Sequence, residues 1–191
     1  MRRMKFPSLA LVTVALIHTP VWAQDDTEVR LEQAREAVQH FSESLKTELK
    51  TAVEDGGPIH AIDVCHQRAP EIAEEISTRT GIQTGRTSLQ LRNPDNAPDD
   101  WERGVLNAFE ERLAEGEDPK TMEHYEVREE NGDRQIRYMR AIPAGELCMT
   151  CHGTEVRYDV EQALLRKYPD DQATGYSEGQ IRGAFTLVQP M

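Results

Sequence analysis

The chain reads as an α+β domain, helical through its first half and built of antiparallel strands through most of its second. Three observations carry that reading. Leu31, Ala34, Val38, Phe41, Leu45, Leu49 and Ala52 recur at the 3.6-residue spacing of one helix face. Asn131-Gly132 sits between two runs of alternating polar and apolar residues, the strongest two-residue hairpin signal in the chain. Residues 181–188 form a further strand-like run near the C-terminus.

In order along the chain, the first helix is closed by Gly56-Gly57-Pro58. A second follows, with Ile59, Ile62, Cys65, Ala69, Ile72 and Ile76 on one apolar face, and Pro70 either kinks it or opens a new helical segment. Residues 82–91 read as a strand. Residues 92–100 carry two prolines and two asparagines and read as a loop, ending in Asp99 or Asp100 as the cap of a helix over about 101–115. Strands at 125–129 and 135–142 flank the Asn-Gly turn, and the strand at 181–188 completes a set of four. No internal repeat or low-complexity tract interrupts this order.

The N-terminus predicts export. Arg2, Arg3 and Lys5 form a positive segment, residues 9–17 an apolar run, and Val21-Trp22-Ala23 a cleavage site before Gln24. That divides the chain into a signal peptide at 1–23 and one domain at 24–191, expected to be soluble in the periplasm. The apolar run is too short to span a bilayer, and no later segment approaches that length, so no membrane insertion is expected after cleavage. The formal net charge is −12, and loss of the basic leader makes it more negative. So acidic a chain disfavours nucleic acid and anionic lipid as partners. It suits a basic redox partner, or simply reflects a soluble exported protein.

Cys148-Met149-Thr150-Cys151-His152 is the most specific motif, because C-x-x-C-H is the attachment pattern for c-type haem. Two thiols one helical turn apart reach two vinyl groups of one porphyrin, and the histidine that follows becomes the proximal iron ligand. The competing reading is a C-x-x-C disulfide or redox pair. No thioredoxin-like βαβ pattern and no second metal-binding pair accompanies it. One covalent haem, with its iron, is therefore the expected cofactor. Cys65 then has no disulfide partner, and a lone exposed thiol is vulnerable to oxidation in the periplasm. Its position on an apolar helix face fits a buried structural cysteine or a thiol protected in some other way.

Four stretches resemble a family of exported haem-c domains of PAS-like fold, found alone or as the sensor part of bacterial signalling receptors. They are Ala61-Ile62-Asp63-Val64-Cys65 with Ala69-Pro70-Glu71-Ile72-Ala73; Gly85-Arg86-Thr87-Ser88 leading to Arg92-Asn93-Pro94-Asp95-Asn96-Ala97-Pro98; Cys148-Met149-Thr150-Cys151-His152-Gly153; and Tyr168-Pro169-Asp170-Asp171-Gln172-Ala173-Thr174-Gly175-Tyr176 followed by Gly179-Gln180-Ile181-Arg182-Gly183-Ala184. The resemblance implies a PAS-like antiparallel sheet with long N-terminal helices and a covalently bound haem, although a fifth strand expected of that fold is not visible. It also implies that His152 and Cys65 are the two axial iron ligands. An anionic thiolate favours ferric over ferrous iron, so reduction weakens the iron–sulfur bond and opens a position for a small gas such as NO or CO.

Other residues compete for these roles. His66 adjoins Cys65 and is the main alternative ligand; His40, His60 and His124 lie in polar surroundings and read as surface residues. Met122, Met139 and Met191 are within reach in principle, Met139 fitting core packing better, and Met149 between the haem cysteines is poorly placed. Arg86 and Arg92 are candidates for the haem propionates, since guanidinium grips carboxylate through two hydrogen bonds. The Asn93 to Pro98 segment reads as a capping loop or a rigid loop over the haem edge. Gly183, within a strand, is a candidate for close backbone approach to the porphyrin, while Gly175 and Gly179 read as turn glycines. Tyr138 and Tyr176 fit either core packing or a hydrogen bond to a propionate or bound gas. Three functions follow in order: a redox- or gas-responsive sensor module signalling to a separate receptor, a small electron-transfer cytochrome, and, weakest, a haem enzyme.

Overall fold

The structure, a computed structural model of the chain, describes residues 22–130 and 132–191. The predicted leader falls almost wholly outside them, as does Asn131 of the hairpin turn. One long helix, α1 (Trp22–Asp63), breaks at Gly57, whose φ of 74° suits glycine alone, and Pro58 starts the next helical segment. A π-helical turn (Val64–Arg68) leads into α2 (Ala69–Thr80). Then come β1 (Gln83–Thr87), α3 (Asp100–Ala114), β2 (Glu123–Glu130), β3 (Asp133–Pro143), α4 (Glu146–His152), α5 (Tyr158–Lys167) and β4 (Ile181–Pro190).

The four strands make one antiparallel sheet in the order β1-β4-β3-β2. The Asn-Gly signal marks a two-residue connection: Glu130 pairs with Asp133, and Gly132 has a φ of 89°. Alternation along the central strands gives each face its own core. Ile136 and Tyr138 of β3, with Phe185 and Leu187 of β4, pack on Leu31, Ala34, Val38 and Phe41 of α1 and on Ile72 and Ile76 of α2. Met139, Ala141 and Ala184 face the other way, onto Val105, Leu106 and Phe109 of α3. The start of α3 is fixed by a capping box, Asp99 accepting from the Glu102 amide at 2.8 Å and Glu102 from the Asp99 amide at 3.0 Å. No described helix is long and apolar enough to cross a membrane.

The strand expected over 82–91 stops at Thr87. There the Ser88 amide turns to the Asn96 carbonyl (3.3 Å), and the Ser88 hydroxyl donates to the Arg182 carbonyl (2.8 Å). Gly183 permits this exit: a Cβ on it would lie 2.4 Å from the Thr87 carbonyl oxygen. The close approach at Gly183 is thus between two backbone segments. Gly175 and Gly179, with φ of 87° and 88°, are turn glycines. Tyr138 is a core residue, its hydroxyl donating to Glu123 at 2.7 Å.

Glu123 also accepts from Arg35 of α1 at 2.6 Å, so a single carboxylate ties the long helix to the outer hairpin. The Arg35 hydrogen bonds hold its carboxyl below the ordinary glutamate range, against its partial burial. A lowered folded-state pKa contributes stability above the unfolded value, and that contribution drains as pH falls through the folded one. Glu123→Gln should therefore cost about 1 kcal/mol at neutral pH and nothing near pH 2. Urea unfolding of both proteins across that pH range checks it; an equal loss at both ends would remove the ion pair as the cause.

Candidate cofactor-binding site

A cavity of about 190 Å³ opens where α1, the π-turn, the end of β1, α4, α5 and β4 meet. Its walls are mostly apolar, with Leu45, Leu49 and Val53 from α1, Leu164 from α5 and Phe185 from β4. All six sequence-selected residues line it: Cys65, Arg86, Arg92, Cys148, Cys151 and His152. The helix α4 is two turns long and carries Cys148, Cys151 and His152 together. Cys65 enters from the π-turn, a local defect with a physical cause. Pro70 has no amide to give the His66 carbonyl, and the Ala69 amide bonds Val64 instead, adding a residue to the turn. Past that turn the face predicted for one continuous α-helix is rotated: Ile62, Ala69, Ile72 and Ile76 are buried, Cys65 borders the cavity, and Ile59 is exposed.

The histidine is held by a second layer of contacts. His152 Nδ1 lies 2.6 Å from the Ala173 carbonyl and 3.2 Å from Arg182 Nε. One nitrogen cannot donate to the first and accept from the second; the shorter contact assigns the proton to Nδ1. That leaves the Nε2 lone pair facing the cavity, where Arg92 Nη1 stands 3.3 Å away. Burial, reinforced by the charges of Arg92 and Arg182, holds the imidazole far below its ordinary pKa, so it is neutral at physiological pH. A neutral imidazole with Nδ1–H given to a carbonyl is the form that binds a metal through Nε2.

Arg92 organises this layer. It pairs with Asp171 in a buried ion pair (2.9 Å) and donates to the carbonyls of Cys151 (2.6 Å) and Ala173 (3.2 Å). Asp171 in turn accepts from the Ala173 amide at 2.9 Å. The segment from Asp171 to Tyr176 is thereby wrapped around the end of α4, with the Tyr176 amide on the His152 carbonyl at 2.9 Å. Arg182 reaches the same region because it is the extra residue of a β-bulge. Ile142 pairs with Gly183 and Pro143 with Ile181, and Arg182 is left out of register. Its Nη1 donates to Ser88 Oγ at 2.7 Å and its guanidinium lies 5.5 Å from the Tyr176 ring.

Burial pushes the Cys151 thiol up to about 11, Arg92 pulling against it. Burial raises the Cys65 thiol as well, opposed first by Arg86 and then by Arg92. Of the competing ligands, His66 does not line the cavity: it stands edge-on to Tyr168 at 5.2 Å with its Nδ1 buried and without a hydrogen-bond partner among the described residues. Met122 and Met139 are in the core beneath α3, Met191 packs against the α1-side core, and Met149 against Ala144 and Ala173. His40, His60 and His124 are on the surface. Asn93 and Asn96 border the cavity, and Asn93 also caps the turn at Pro94–Asn96, the capping role the sequence offered for this loop. Tyr176 stands edge-on to His152 at 6.4 Å. Sequence reasoning missed Asp171, Arg182 and the Ala173 carbonyl as parts of this site.

A family model described as Tll0287-like matches residues 22–190. Among solved structures, the crystal structure of the cyanobacterial heme-protein Tll0287 is similar over 85% of this chain and 95% of that one. Its TM-score is 0.65 and its identity 22%, a likeness of fold. No curated protein matches.

Removing one partner of the Arg92–Asp171 pair leaves the other charge buried and unpaired. Asp171→Asn should cost about 3 kcal/mol of folding stability, and Asp170→Asn, at the exposed neighbour, almost nothing. Denaturant unfolding of the two variants measures the difference; a loss under about 1 kcal/mol for Asp171→Asn would show that water reaches the pair.

Proposed function

The chain belongs to the Tll0287-like family, and from that premise we propose that it binds one haem in this cavity, attached through Cys148 and Cys151. The observation that carries the reading is the donor set: two thiols and a neutral imidazole on one short helix, with the imidazole's outer proton already committed to the Ala173 carbonyl. The bound haem supplies a redox-active iron able to accept axial ligands. His152 presents Nε2 from α4, and Cys65 presents its sulfur from the π-turn. The apolar walls exclude water. With iron on Nε2, Arg92 would lose its Nη1 contact there and would keep those with Asp171 and the two carbonyls. Of the two arginines offered to the propionates by the sequence, Arg92 already has Asp171 as its counter-charge, and Arg86 has none among the described residues.

On this reading the protein is an exported, periplasmic, non-enzymatic haem module that responds to redox state or a small gas such as NO or CO. Cys65 is the labile ligand, and the signal passes to a separate receptor. A simple electron carrier is the second reading, favoured by the acidic chain, which suits a basic redox partner.

The test is an optical and EPR comparison of the ferric, haem-loaded protein with its Cys65→Ala variant. A low-spin thiolate signature that disappears in the variant supports His152–Cys65 ligation. An unchanged spectrum returns Cys65 to a packing role and makes the electron carrier the better account. The reduced protein, on the sensor reading, should also bind CO at neutral pH; failure to do so removes the ligand-release mechanism.

A further inference from the structure

Two polar side chains of the cavity take no part in the layer around His152. Arg86, on β1, holds its guanidinium over the Phe41 ring at 5.6 Å and has neither a carboxylate nor a hydrogen-bond partner among the described residues. Tyr168, at the end of α5, has its ring braced by His66 and its hydroxyl without a partner among the described residues. Both line the cavity beside Cys65. All three line the same cavity, and the Arg86 charge opposes the rise that burial gives the Cys65 thiol. A half-buried guanidinium with no counter-charge beside it, and a phenol with no partner, both leave hydrogen-bonding capacity open toward the cavity. Groups left in that condition beside a proposed iron ligand are donors waiting for an acceptor.

We propose that Arg86 and Tyr168 form the binding site for a small exogenous ligand with an anionic or strongly accepting end, the chemical class of cyanide or nitrite, which takes the position that Cys65 gives up. This rests on the haem reading and on Cys65 as axial ligand. In the exchange Cys65 releases its sulfur, which takes a proton from solvent, and the incoming ligand donates its own electron pair instead; no electron is transferred. Arg86 remains as the positive charge facing whichever anion is bound. A guanidinium and a phenol both donate and neither accepts from the ligand here, so the site gains more from an anion than from neutral CO.

The experiment uses the full haem-loaded chain with Cys65→Ala to open the position, and cyanide and CO as probes. Adding Arg86→Leu should weaken ferric cyanide binding about tenfold or more, and adding Tyr168→Phe by a few fold, with CO affinity changed less than cyanide affinity in both. The C–O stretch of the ferrous CO form should rise in the Arg86→Leu background as a donor is lost. Arg86→Lys, which keeps the charge and the stem, should restore part of the cyanide affinity and guards against a folding defect. Cyanide binding unchanged within twofold, with an unmoved C–O stretch, overturns the proposal. If Arg86→Leu shifts only the reduction potential, Arg86 serves a propionate and the proposal likewise falls. A Cys65→Ala ferric spectrum identical to that of the unaltered protein overturns the ligation reading itself, a separate result seen before any probe is added.

Discussion

The arrangement at the cavity depends on one buried ion pair, Arg92–Asp171. Two charges taken out of water are stable only if their remaining hydrogen-bonding capacity is met, and here it is met by backbone. Arg92 spans from Asp171 to the carbonyls of Cys151 and Ala173, and Asp171 takes the Ala173 amide. Both ends of one peptide segment are thus gripped by a single pair. That segment carries the carbonyl that receives His152 Nδ1–H. The orientation of the imidazole, its tautomer and the direction of its free lone pair all follow from where the pair holds Ala173. An apolar replacement of similar volume would fold at least as well in many proteins, but it could not aim a carbonyl.

Regular structure builds the walls, and irregular structure aims the chemistry. The sheet with α1, α2 and α3 supplies two ordinary apolar cores. Cys148, Cys151 and His152 sit on the regular helix α4, but the side chains around them come from irregular segments: Cys65 from a π-turn, Arg182 from a β-bulge, Arg92 from a loop past a truncated strand, Tyr168 from the residue that caps α5. The π-turn and the bulge each shift the phase of their element by about a residue, enough to turn a side chain from one face to another. A continuous helix through Pro70 would send Cys65 toward α2's own packing face, and a regular β4 would point Arg182 away from His152.

The sequence was legible where local chemistry is self-sufficient. The hairpin connection at Gly132, the cap at Asp99, the break at Gly57 and the α-spaced residues from Leu31 to Phe41 each carry their own signal, and the structure has them at those positions. The C-x-x-C-H residues, Cys65, Arg86 and Arg92 also meet in one cavity. The misses have non-local causes. The strand over 82–91 ends early because Ser88 finds partners in Asn96 and Arg182, remote in the chain. Asp171 looks like a surface residue beside Asp170 until Arg92, 79 positions away, is brought against it. The short helix α5 was readable, since Val160, Ala163 and Leu164 share a face, but its ten residues offer few repeats of the pattern.

The charge inventory of the cavity explains why an acidic chain concentrates cations here. Arg86, Arg92, Arg182 and the exposed Lys46 line it, and among the described residues Asp171 balances only Arg92. The excess is costly, because guanidinium groups there are partly desolvated without a matching carboxylate among the described residues, and burial lowers the affinity of Arg86 and Arg182 for their protons. A ligand carrying negative charge removes that penalty, so its binding energy includes relief of repulsion already present in the fold. The same excess makes the neutral His152 easier to maintain, since a further positive charge beside three guanidinium groups is unfavourable. Uncompensated arginine and neutral histidine are therefore two consequences of one arrangement. Together they suit the cavity to a group that is anionic at its periphery or its axial position and electron-accepting at its centre, which is the chemistry of an iron porphyrin.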